Sequence, residues 1–102
     1  MKLENRKVII TGAAQGMGGT ITRKLADEGA ELFLTARTRG PLQELADELQ
    51  GNGVKVGFRE GDATVEKDVK AIVEAALSFF GGRIDVLVNA AGATGPIETP
   101  VW

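Results

Sequence analysis

The chain has 102 residues, 43% of them apolar and 25% charged, with a formal net charge of −2; this fits one soluble globular domain and leaves no room for two catalytic ones. Twelve basic residues stand against fourteen acidic ones and neither sign is massed in a run, so no nucleic-acid-binding arm and no polybasic membrane patch is expected. Cys and His are both absent, which excludes thiol nucleophiles, disulfides, zinc-finger ligands and a Ser-His-Asp relay. Tyr is absent too, and Ser78 is the single serine. Small molecules or protein are the expected partners, and no metal site is expected.

Lys2, Arg6 and Lys7 precede only Val8, Ile9 and Ile10 as a continuous apolar run, well short of the roughly 7 to 15 residues of a signal-peptide core. No window approaches the about 18 uncharged apolar residues of a membrane-spanning helix. A cytoplasmic location is expected. Lys7 to Thr11 (KVIIT) is β-branched and nearly all apolar, the pattern of a parallel strand covered on both faces. Thr11 to Gly18 (TGAAQGMG) then leads into a helix from about Met17 to Glu28, with Ile21, Leu25 and Ala26 inward and Gly29 as its stop. Glu31 to Ala36 (ELFLTA) is the second strand. Pro41 suits the first turn of a second helix, whose Leu42, Leu45, Ala46 and Leu49 follow the i, i+3, i+4, i+7 pattern before Gly51. Val54 to Phe58 makes the third strand, with Lys55 near its start. The spacing of Val65, Val69, Ile72, Val73, Ala76 and Phe79 or Phe80 predicts a third helix over Val65 to Phe80, capped by Thr64, favoured at its start by Glu66 and ended by Gly81 and Gly82. Ile84 to Asn89 is the fourth strand, with Asp85 near its start. Residues 93–102 form an irregular tail punctuated by Gly95, Pro96 and Pro100.

Strict alternation of four strands and three helices predicts right-handed crossovers and a parallel sheet, an α/β architecture. In the turn after the first strand, Gly12 lets the chain reverse sharply. Gly16 and Gly18 open backbone amides at the helix start to an anion such as a pyrophosphate, favoured by unpaired N–H groups and the positive dipole end. The bland alternative is a tight strand-to-helix connection. The GxGxxG fingerprint fails because Ile21 stands where its third glycine belongs, and a Walker loop fails for want of Gly-Lys-Thr or Gly-Lys-Ser.

The spacing T-G-x-x-x-G-x-G resembles that of the short-chain dehydrogenase/reductase family, in its shorter branch. Asn89, Ala90, Ala91 and Gly92 match the family's N-N-A-G after the fourth strand, with Ala90 in place of the second Asn. Asp62, followed by Ala63, lies where the family places the carboxylate that receives the adenine amino group. The resemblance covers nearly the whole chain. It implies a Rossmann-type doubly wound sheet, incomplete here, with strand order 3-2-1-4. It further implies an oxidoreductase transferring hydride between a nicotinamide dinucleotide and a small alcohol or carbonyl substrate, a homo-oligomeric parent, and cofactor contacts at Gly12, Gln15, Gly16, Met17, Gly18, Asp62, Ala63, Asn89, Ala90, Ala91 and Gly92. Simpler roles for two of these are a dipole partner for Asp62 and a loop hydrogen bond for Asn89.

At the end of the second strand an NAD-preferring site would place a carboxylate against the ribose hydroxyls. Ala36 stands there instead, followed by Arg37 and, two residues later, Arg39. One or both guanidiniums can pair with a 2′-phosphate, so NADP(H) is expected over NAD(H); as the alternative, both are solvated loop charges. The family's catalytic Tyr and Lys lie in a Y-x-x-x-K helix beyond the fourth strand, and this sequence has no Tyr. No catalytic residue is assigned, and the 102 residues are expected to be inactive alone. The predicted order leaves one sheet face with a single helix and Val86, Leu87 and Val88 as an apolar edge strand. These residues are therefore expected to be the N-terminal half of a longer enzyme. A non-catalytic nucleotide-binding or partner-docking half-domain is the alternative. A phospho-acceptor receiver is excluded, because Thr11 to Ala14 offers no acidic pair for a divalent cation.

Overall fold

Four runs rich in Val, Ile, Leu and Phe become strands in the computed structural model, which describes residues 4–14 and 16–90. They are β1 (Lys7–Thr11), β2 (Glu31–Ala36), β3 (Val56–Glu60) and β4 (Val86–Asn89), alternating with helices α1 (Gly16–Asp27), α2 (Arg39–Gly51) and α3 (Glu66–Phe80). All pairings are parallel and the order is β3-β2-β1-β4, as the alternation requires. The strands are in register at their C-terminal ends: Thr11 pairs with Thr35 and with Asn89, and Ala36 with Glu60. The segments after β1, β2 and β3 therefore leave from one edge of the sheet.

Period-2 alternation divides the strand residues between two faces. Val8, Ile10, Leu32, Leu34, Val56 and Val88 join Leu42, Leu45, Ala46 and Leu49 of α2 in the larger core, with Ile21, Leu25 and Ala26 of α1 packed against it. Ile9 and Phe33 face the other way and meet Ile72, Ala76 and Phe80 of α3. Gly57 sits on this second face because a Cβ there would come within 3.0 Å of the Phe79 ring and 3.2 Å of the Phe33 ring.

Four local expectations are corrected. The fourth strand begins at Val86, two residues later than Ile84, because the Lys7 N–H is taken at 2.9 Å by the Asp85 side chain, at Oδ2, where a ladder would use a main-chain carbonyl. The third strand runs two residues later than Val54 to Phe58, because the Val54 N–H donates to Leu49 O and closes the end of α2, while Glu60 still pairs with Ala36. Thr64 does not cap α3. The flanking residue is Val65, in extended conformation, and Thr64 gives its N–H and hydroxyl to Asp62 Oδ1 at 2.9 and 2.7 Å; the nearer carboxylate outcompetes the helix end. The α3 stripe is only partly inward: Ile72, Ala76 and Phe80 are buried, whereas Val65, Val69 and Val73 are 37–43% exposed. Among the described residues no second helix lies on that face to cover them. Leu87, 40% exposed on β4, shares this open side, and β4 has β1 as its one neighbour among the described strands. The helix stops behave as expected: Gly29 and Gly81 adopt φ of 92° and 78°, where a side chain is strained. Residues 93–102 lie outside the described residues.

Candidate functional site

β1 lies between β2 and β4, so the chain leaves its C-terminal end for α1 on one face while the crossover through α3 arrives at β4 from the other. Such a switch point opens a crevice beyond the strand ends, where ligands of open α/β sheets bind. Gly12 and Gly16 adopt φ of 65° and 49°, left-handed conformations that glycine takes at no steric cost. The two other glycine roles separate. A Cβ on Gly16 would meet nothing within 4 Å, so that backbone faces open space. On Gly18 it would lie 1.8 Å from Gly12 O; Gly18 is there so that the first turn of α1 can press against the strand-end turn. That adds a packing role to the expected anion-facing one.

Thr22, absent from the sequence-based reading, reinforces this junction. It is fully buried, and its hydroxyl lies 2.7 Å from Gly18 O and 3.2 Å from Ala13 O. The Ala13 N–H in turn donates to Thr35 O at 3.1 Å. Mid-helix threonines are neutral in a pattern search, and only the approach of turn to helix gives this one a task. The first turns of α1 and α2 hold no acidic side chain, whereas that of α3 holds Glu66 and Asp68. The N–H groups at the starts of α1 and α2 thus face the edge without competing carboxylates.

Arg37 and Arg39, both exposed, follow β2. Neither is within ion-pair distance of a carboxylate among the described residues, in contrast to Arg23, which grips Glu48 through two hydrogen bonds of 3.0 Å. The Arg39 guanidinium instead stands over the Phe58 ring, 5.6 Å from its centroid. Asp62 is half-buried. Its N–H donates to Asp68 Oδ2 at 2.9 Å, a brace the sequence did not reveal. The Thr64 hydroxyl, helped by the Thr64 N–H and the Arg37 charge, holds the Asp62 carboxyl below its usual range. Both Thr64 bonds fall on Oδ1, and among the described residues Oδ2 accepts no hydrogen bond. Asn89 Oδ1 accepts the Thr11 hydroxyl at 2.8 Å, tying β4 to β1. Ala90 needs no side chain for its part, since its N–H donates to Thr11 O at 3.0 Å. Ala63 lies half-buried beside Asp62. Gln15, Ala91 and Gly92, and the side chain of Met17, lie outside the described residues. Among the described residues, no group of His, Cys, Asp and Glu could hold a metal ion, and no helix is long and apolar enough to cross a membrane.

Comparison with known proteins places this geometry. The model of the short chain dehydrogenase family matches residues 6–100. The 7alpha-hydroxysteroid dehydrogenase of Bacteroides fragilis is 36% identical over 93% of this chain and 36% of its own length. A short chain dehydrogenase/reductase from Burkholderia phymatum, solved in complex with NAD, superposes with a TM-score of 0.80 at 30% identity over 85% of this chain and 31% of that one. Actinorhodin polyketide ketoreductase with NADPH gives 0.79 at 35% identity over 93% and 36%. The chain thus spans under two fifths of the length of each of these relatives. With the strand order β3-β2-β1-β4 and a family model that spans residues 6–100, the chain belongs to the short-chain dehydrogenase/reductase family.

Proposed function

We propose that the protein is an NADP(H)-dependent oxidoreductase that transfers hydride between the nicotinamide and an alcohol or carbonyl substrate, and that these residues form its nucleotide-binding half. The single observation that carries the cofactor choice is the end of β2, where no carboxylate stands and two arginines follow without ion-pair partners among the described residues. Gly12, Gln15, Gly16, Met17 and Gly18 take the pyrophosphate on main-chain N–H groups. Arg37 and Arg39 take the 2′-phosphate, Asp62 with Ala63 the adenine, and Asn89, Ala90, Ala91 and Gly92 line the nicotinamide-side strand end. That relatives of this fold were solved with NAD and with NADPH supports a nicotinamide cofactor of either kind. No catalytic residue is assigned among the 102 residues, which contain no Tyr.

Fluorescence titration with NADPH and NADH tests the reading. One charge-assisted hydrogen bond of about 1.5–3 kcal/mol predicts tighter NADPH binding by on the order of tenfold or more. Arg37→Asp should weaken NADPH more than NADH; equal losses for the two would remove the NADP(H) assignment.

A further inference from the structure

Arg39 is placed in a different way from Arg23. A surface guanidinium normally samples many rotamers, and fixing it costs side-chain entropy. The usual means of fixing it, a bidentate carboxylate as Glu48 provides for Arg23, also consumes its N–H donors. At Arg39 the partner is an aromatic face. Phe58 stands on β3 in register with Leu34 of β2 and packs against the larger core, so its ring is anchored from below. The Arg39 Cζ lies 5.6 Å from the centroid of that ring. A ring face attracts the cation without a carboxylate to take up its N–H groups, and among the described residues the Arg39 guanidinium makes no hydrogen bond or ion pair, so its donors are available to a planar array of oxygens.

We propose that Phe58 is a positioning residue for 2′-phosphate recognition: its ring holds the Arg39 guanidinium at the start of α2 with its N–H donors unspent. This rests on the NADP(H) reading above. Arg37, on the residue next to β2, supplies a second cation whose field reaches Asp62. Arg39 is the pre-placed member of the pair.

Calorimetric titration of the protein with 2′,5′-ADP and with 5′-AMP isolates the phosphate in question without nicotinamide or turnover. Loss of a cation–π contact predicts that Phe58→Leu weakens 2′,5′-ADP about two- to fivefold and leaves 5′-AMP unchanged. Phe58→Tyr, which keeps the ring, should restore the affinity. In an Arg39→Ala background Phe58→Leu should cost nothing more. Equal losses for the two nucleotides, or a Phe58→Leu effect that persists without Arg39, overturns the proposal. If Phe58→Leu does not fold, the side-chain NMR of the unaltered protein decides: the Arg39 Nε–H should be markedly more restricted than that of Arg37, and equal mobility overturns the proposal. Failure of the underlying reading looks different. Unaltered protein that binds 2′,5′-ADP no tighter than 5′-AMP would remove the 2′-phosphate altogether.

Discussion

Gly18→Ala is the most exacting test of the site's construction, because helix propensity and packing predict opposite signs. Gly18 is the third residue of α1, where alanine should be favoured by about 1 kcal/mol. The added Cβ, however, would lie 1.8 Å from Gly12 O and 2.9 Å from Gly12 C. Those atoms are main chain, held by Ala13 N–H on Thr35 O, so relief requires moving the turn or the helix by more than an ångström. Overpacking of this kind costs about 1–3 kcal/mol or more, and a backbone obstacle belongs at the upper end. A net loss of about 2 kcal/mol follows, which at roughly 4–8 °C per kcal/mol for a domain of this size lowers Tm by about 8–16 °C. Thermal unfolding followed by circular dichroism measures it. Gly19→Ala is the internal control, since its Cβ would meet the Arg23 side chain at 3.4 Å and the main chain of Ala13 and Ala14 at 3.8 and 3.9 Å, ordinary contact distances, and it should be neutral or stabilising by up to about 1 kcal/mol. If Gly18→Ala were as stable as Gly19→Ala, the close approach of α1 to the turn would be refuted.

Gly16→Val should abolish dinucleotide binding, since its side chain would enter the open space before α1 and a β-branched residue is strained at φ 49°; titration of a variant whose circular dichroism shows it folded checks this, and unaltered affinity would mean the loop is only a turn. Thr35→Val should be neutral or stabilising by about 1 kcal/mol in urea unfolding, because the buried Thr35 hydroxyl has no hydrogen-bond partner among the described residues and such groups cost stability; a clear destabilisation would reveal an ordered water there. The Lys7 ammonium, 2.8 Å from Glu31 Oε1, holds the Glu31 carboxyl below its usual range, chiefly by that hydrogen bond. A pKa lower in the folded chain than in the unfolded one contributes stability that is present above the ordinary Glu value of about 4.3 and is lost as pH falls through the folded value. Tm measured against pH should therefore drop less steeply in acid for Glu31→Gln, and identical acid limbs would rule out this contribution.

Which features were legible in the sequence follows from how local their causes are. β1 and β2 were readable to the residue because each is a short run rich in β-branched or aromatic residues bounded by turn signals, which favours a doubly covered strand over a helix. The glycine turn was readable from spacing as a turn, and Gly12 and Gly16 take the positive φ it requires; Arg37 and Asp62 drew notice only through the resemblance and their places just after β2 and β3. The boundaries of β3 and α3 shifted where two local partners competed, Leu49 O for the Val54 N–H and Asp62 for Thr64. Thr22, Asp68 and Phe58 escaped because their roles arise only when segments distant in sequence meet: helix on turn, α3 on the β3 end, and α2 on β3. The exposed Val65, Val69 and Val73 misled periodicity, which ranks a helix by its apolar face and cannot say how much of that face has a neighbour.

The two sides of the sheet are unevenly clad. Among the described residues twelve buried side chains cluster beneath α1 and α2, against five beneath α3. Local opening is least costly where least apolar surface is covered, which here is the thinner layer. Asp62 is moored to that layer through Asp68, whereas Gly12 and Gly18 are seated in the thicker one. A transient peel of α3 would thus loosen the Asp62 corner while the glycine turn stays docked, so amide exchange should be faster at Asp62 than at Ala13.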